Sequence, residues 1–177
     1  MKKFELTSET KINIFGKKLF RIKALVSFGV VKTGETGGWV EKEENVNQSG
    51  DAWVFGNAEV FGNARVSGDA EVFGNAEVFG NARVSGDAEV FGNARVSGNA
   101  RVSGNADYTT IHGFGTQFRT TTLFRCKDKQ VKVSCGCFYG TIPEFREQVK
   151  NTRDGKIAEE YLMIADLMEK HFAEEAK

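Results

Sequence analysis

The chain has 177 residues, with Lys+Arg and Asp+Glu both at 24. This balance excludes a generally basic nucleic-acid binder and leaves only local stripes of charge to consider. No run of about 18 apolar residues is present to span a bilayer, and the start, Met1-Lys2-Lys3-Phe4, lacks the apolar centre of a secretion signal.

Residues 1–47 alternate apolar and polar side chains in short runs, as in Lys11-Ile12-Asn13-Ile14 and Leu19-Phe20-Arg21-Ile22, around a Gly16-Lys17-Lys18 turn. Period two bounded by turn residues predicts a β-hairpin, and the segment reads as an N-terminal β cap. Gly37 and Gly38 then introduce Trp39-Val40.

Residues 48–107 are governed by a repeat. The eighteen letters of residues 54–71 recur unchanged at 72–89, and a drifted copy occupies 90–107. Within each eighteen lies a period of six, led by Val54, Val60, Val66 and their successors, with Ala58, Ala64 and Ala70 four places after each valine. A large and a small apolar residue at fixed phase suit a short strand followed by a tight corner. The Gly-Asn or Gly-Asp pair before each alanine supplies that corner, because both tolerate left-handed backbone angles. Three corners in each eighteen predict a three-sided coil, in which each rung buries its valines only against its neighbours.

The pattern resembles the left-handed β-helix hexapeptide-repeat proteins, in which an aliphatic residue leads each hexad and a small residue takes its fifth place, as Val60 and Ala64 or Val78 and Ala82 do here. It is similar to the bacterial and phage members of putative-transferase type, whose lead-ins are like Gly37-Gly38-Trp39-Val40-Glu41 and Gly50-Asp51-Ala52-Trp53-Val54. The resemblance implies a mainly β protein built on a left-handed parallel β-helix, trimeric assembly, and a bacterial or prophage context; the lack of a membrane span and of a secretion signal makes a cytoplasmic protein the expectation.

Residues 108–122 break the period and read as an exit linker. Residues 123–177 read as a small C-terminal α/β domain: strands at 123–127 and 130–134, a Cys135-Gly136-Cys137 loop, and two helices. Thr141-Ile142-Pro143-Glu144 is a capping box with proline in the first turn of a helix running to about Val149. In the helix from Ile157 to Ala173, the residues Ile157, Tyr161, Ile164, Ala165, Met168 and Phe172 form one apolar stripe that packs on the strands. The three cysteines, Cys126, Cys135 and Cys137, are an odd number confined to this region, which fits reduced thiols.

Because each valine points inward, its neighbours point out and sort into three faces. Face one carries Trp53, Glu71 and Glu89 beside Phe55, Phe73 and Phe91. Face two carries Glu59, Glu77 and Arg95 beside Phe61, Phe79 and Ser97, and face three carries Arg65, Arg83 and Arg101 beside serines. The aromatic ladders form more apolar surface than a soluble monomer leaves bare, so a homotrimer interface or the chain's own cap or tail should cover them. The arginine ladder is open to three readings: a solvated face, a partner for Glu71 and Glu89 of a neighbouring subunit, or a grip on an anionic ligand such as a nucleotide.

Family acyltransferases use a coil histidine beside coenzyme A, but this repeat holds none; His112 lies just past it and His171 in the last helix. No catalytic or metal residue and no cofactor is therefore carried over. Zinc held by the three cysteines with His171 is weighed against thiols buried in a hairpin core. The expectation is a non-enzymatic trimeric binding protein, acting as a phage-encoded inhibitor or sequestering agent of a host protein or nucleotide-like anion. Arg119, Arg125 and Tyr139 are then candidate contact residues beside the arginine ladder. A coenzyme-A-dependent acyltransferase using His112 and a trimeric structural scaffold are the alternatives.

Overall fold

A computed structural model describes residues 2–173. An antiparallel hairpin, β1 (Phe4–Ile12) and β2 (Lys18–Ala24), leads into β3 (Thr36–Val40). Nine two-residue strands follow, one per hexad: β4 (Trp53–Val54), β5 (Glu59–Val60), β6 (Arg65–Val66), β7 (Glu71–Val72), β8 (Glu77–Val78), β9 (Arg83–Val84), β10 (Glu89–Val90), β11 (Arg95–Val96) and β12 (Arg101–Val102). They stack as three parallel sheets. Face one is β4-β7-β10, face three is β6-β9-β12, and face two is β3-β5-β8-β11 continued by β2 and β1. The chain is thus a β-solenoid of about four turns.

The hexad explains each turn. Every leading valine from Val54 to Val102 and every corner alanine from Ala58 to Ala94 has at most 1% of its surface exposed, and each such valine contributes about 1.5–3 kcal/mol of burial. The rungs join through backbone bonds such as Glu59 N–H to the Ala76 carbonyl (2.9 Å) and Glu77 N–H to the Ala94 carbonyl (2.8 Å). At the corners a glycine takes positive φ, and successive corners stack closely. A Cβ on Gly68 (φ +69°) would lie 2.9 Å from the backbone N and O of Gly86.

The coil begins earlier than the repeat. Trp39 and Val40 pair with Glu59 and Val60, and Val46 bridges to Val66, so part of the segment read as a cap forms the first turn. Gly37 and Gly38 permit this entry, since a Cβ on either would come within 2.6 Å of Trp53 or Val54 side-chain atoms.

Such a coil has two different open edges. At the first, unpaired carbonyls face outward. The ammonium of buried Lys3 donates to Gly50 O (3.0 Å) and Ala52 O (2.8 Å), and the amide of Asn45 donates to Gly62 O (3.2 Å) and Ala64 O (2.9 Å). Burial pulls the Lys3 ammonium down to about 8, against smaller opposing effects of Asp51 and Asp69. At the far edge unpaired N–H groups remain. Asn105 Oδ1 accepts from Glu89 N–H (2.8 Å) and Thr122 Oγ1 from Arg95 N–H (3.0 Å). Side chains therefore end what rungs would otherwise continue.

Beyond the coil, β13 (Tyr108–Phe114), β14 (Arg119–Arg125), β15 (Val131–Cys135) and β16 (Phe138–Thr141) make an antiparallel sheet in chain order. Residues 108–122, read as a linker, are instead β13 and most of β14. Their threonines and Ile111 are strand formers, and Gly115 and Phe118 turn between them at positive φ. The Cys-Gly-Cys loop is a tight turn at Gly136 (φ 60°) into β16. Helices α1 (Ile142–Thr152) and α2 (Gly155–Phe172) follow, and the Thr141–Glu144 capping box opens the first.

Period two divides this sheet between two cores. Tyr108, Phe124 and Cys126 plug the end of the coil, while Leu123 and Val133 pack with Phe145, Tyr161, Ile164 and Met168 of the helices. Among the described residues no helix is long and apolar enough to cross a membrane.

Two alanine substitutions separate corner strain from corner stacking. Gly56 (φ +58°) has nothing within 4 Å of an added Cβ, so Gly56→Ala should cost about 1–2 kcal/mol from its backbone angle alone. Gly68→Ala should cost clearly more in chemical denaturation, because the neighbouring corner must also shift.

Candidate binding surface

The three faces meet different fates. Face two is covered by the chain itself. Phe61 and Phe79 stack in parallel with centroids 5.0 Å apart, and Phe15, at the tip of the β1–β2 hairpin, lies 5.4 and 5.3 Å from them. Leu19 and Trp39 complete this cluster. Polar contacts fasten the flap: Lys11 pairs with Glu59 (2.7 Å) and the Asn13 amide donates to Glu59 (3.1 Å). Of the two candidate covers for face two, the N-terminal cap is the one seen.

The drift in the third repeat falls where this face meets the tail. Arg95 stands where a glutamate stood twice. Its guanidinium pairs with Glu77 (2.9 Å), lies over Phe15 (5.4 Å) and Phe79 (5.7 Å), and donates to the Gly136 carbonyl (3.4 Å). Burial raises the Glu77 carboxyl, with Arg95 acting in the opposite direction. Ser97 replaces the phenylalanine of earlier copies and is buried.

Face one is part closed and part open. Trp53, read as an outward interface residue, is fully buried between the rings of Phe4 (5.7 Å) and Phe28 (5.3 Å). The N-terminal cap reaches over this rung, which the coil's period does not reveal. Phe55 is half-buried, whereas Phe73 and Phe91 stack at 5.3 Å with Phe91 46% exposed. Beside them Glu71 and Glu89 stand in register. Burial, then the charge of Glu89, raises the Glu71 carboxyl above its usual range.

Face three is the basic surface. Arg65, Arg83 and Arg101 are paired rung to rung, with Lys42, Glu44, Asn63 and Asn81 lining the same groove. Among the described residues none of the three arginines forms an ion pair with a carboxylate. Arg101 bonds backbone carbonyls of Asn81 (3.0 Å) and Ala100 (2.7 Å), which holds its guanidinium along the groove. The groove continues past Glu44, Asn47 and Gln48 to Ser67 and Ser85.

The tail candidates do not join this surface. Arg125 is engaged at the seam, 3.6 Å from Asp107, donating to Phe172 O (3.1 Å) and lying over the Phe172 ring. Tyr139 sits over Gly98 with its hydroxyl at Cys126, although the residue stays 46% exposed. Both lock the tail to the coil. Arg119 lies at a separate cavity between the sheet and the helices.

His112 is exposed on β13 and 3.2 Å from Thr120 Oγ1. The sheet holds the thiols apart. Cys126 packs in the coil core, Cys135 packs toward the helices, and Cys137 is exposed at the turn. Among the described residues no group of three or more His, Cys, Asp or Glu side chains is placed to hold a metal ion.

Residues 94–106 match the family described as YdcK Beta solenoid repeat, a likeness confined to the last hexads. No curated protein matches the chain.

Phe15→Ser should uncover the Phe61–Phe79 stack. A stability loss of about 1–2 kcal/mol and increased binding of an apolar dye at neutral pH are expected, with the far-ultraviolet spectrum unchanged.

Proposed function

We propose that the chain is a non-enzymatic binding protein whose left-handed, hexapeptide-type coil assembles as a homotrimer through unlike faces and presents its C-terminal domain to partners. The observation that carries this reading is a pair of complementary ladders. Arg65, Arg83 and Arg101 lack carboxylate partners within the described chain, and Glu71 and Glu89 stand uncompensated on another face. Both ladders share the eighteen-residue period, so they align rung for rung at a spacing of about 4.8 Å. The Phe73–Phe91 stack beside the glutamates adds apolar area to the same contact.

A threefold ring suits this arrangement, because a closed cyclic contact joins unlike surfaces of successive subunits. Face two takes no part, being covered by its own hairpin. A second reading is favoured by the groove itself: Lys42 and the three arginines outnumber the one carboxylate, Glu44, in a depression suited to an anionic ligand.

Charge exchange distinguishes the two. Arg83→Glu should weaken assembly by at least about tenfold in sedimentation at low salt, and Glu71→Arg added to it should restore association. Failure of the restoring change, with ligand binding lost in Arg83→Glu, would favour the groove reading.

Assembly should also weaken on acidification. The Glu71 carboxyl is raised in the free chain and would be lowered by an arginine across the interface, so the assembled form binds fewer protons. Association is therefore strongest above the free chain's raised value and is lost as pH falls from there through the lower value of the assembled form.

A further inference from the structure

The tail holds a cavity of about 140 Å3 between the sheet and the two helices, which shares no lining residue with the arginine ladder's groove. Its rim carries Arg119 from β14 and Arg153 just after α1, and its polar lining includes Gln117, Gln148 and the Tyr161 hydroxyl. No Asp or Glu is among the lining residues, and among the described residues neither arginine forms an ion pair. Arg119 and Arg153 thus bring two positive charges to a rim that holds no carboxylate, with the Arg153 guanidinium donating to the Thr152 carbonyl (2.8 Å).

The buried aromatic floor fixes the geometry. Phe145 and Tyr161 meet edge to face at 5.8 Å, and the Tyr161 hydroxyl donates to the Phe114 carbonyl (3.2 Å), which holds it at the cavity wall. Burial, then Cys135, raises the Tyr161 phenol, with Arg153 and Arg119 acting in smaller measure the other way. The space equals that of about four or five waters, enough for a small ion and too small for a nucleoside.

We propose that this cavity binds a small tetrahedral oxyanion, phosphate or sulfate, held between Arg119 and Arg153 with amide donors from Gln117 and Gln148. Guanidinium pairs suit such a ligand because each presents parallel N–H donors to two of its oxygens. The site lies within one chain and does not depend on assembly.

Calorimetric titration of the full chain with inorganic phosphate and with sulfate tests the assignment. Saturable binding is expected, weakened roughly tenfold or more in Arg119→Gln and in Arg153→Gln and unchanged in Lys32→Gln, an exposed position of the N-terminal cap. Both tail arginines are exposed, and thermal melts of the variants will show whether the fold is kept. Methyl phosphate is the third ligand. Equal affinity for it means the opening admits the terminal phosphate of a larger molecule, and its rejection means a free ion is bound. No saturable heat with any of these ligands, or binding weakened as much in Lys32→Gln, would overturn the site.

Discussion

A strand of two residues has no stability of its own, so every rung of this coil exists only because another rung lies against it. The bonds from Glu59 to Ala76 and from Glu77 to Ala94 are steps in one directional series, in which N–H groups always reach toward the C-terminal side. That direction makes the two ends chemically unlike, and the protein answers each with the opposite kind of side chain. Lys3 and Asn45 bring donors to orphaned carbonyls, while Asn105 and Thr122 bring acceptors to orphaned N–H groups. The apolar core needs the same treatment, which Phe4, Ile22 and Trp53 supply at one end and Tyr108 and Phe124 at the other.

The coil was legible because its constraint is local and repeated. A valine, a corner glycine and an alanine at fixed phase can form little else, and the period of eighteen sorts the outward residues onto faces without further knowledge. The arginine ladder was found that way. What stayed hidden depends on contacts between distant segments. Trp53 reads as a surface residue until Phe4 and Phe28 fold over it, and Arg125 and Tyr139 read as unengaged until the seam between tail and coil exists. The strand β13 was missed because a threonine-rich stretch broken by glycines carries no clear alternation.

One signal was present in the letters. An array of identical repeats is expected to drift where selection is weak, yet the changes at Arg95 and Ser97 coincide with the contacts made by the hairpin tip and the tail sheet. Departure from the repeat marks the places where the surface has a particular neighbour, whereas fidelity marks the places where only the next rung matters. The cavity near Arg119 carries no such mark, since it is assembled from a strand end, a helix end and a second helix that lie far apart in sequence.

The contact of Arg95 with both Phe15 and Gly136 has a consequence for how this molecule can change length. A solenoid of identical units invites gain or loss of a unit by unequal copying, and the coil alone would accept either. Here the hairpin reaches along one side from the first turn to the last, where it meets the tail through a single guanidinium. An extra rung would lift that guanidinium by about 4.8 Å and leave the hairpin tip stacked on the wrong level, while a missing one would drive the two ends into each other. The flap thus works as a calliper set to four turns. It makes the distance between the two ends an inherited quantity in a sequence otherwise free to stutter.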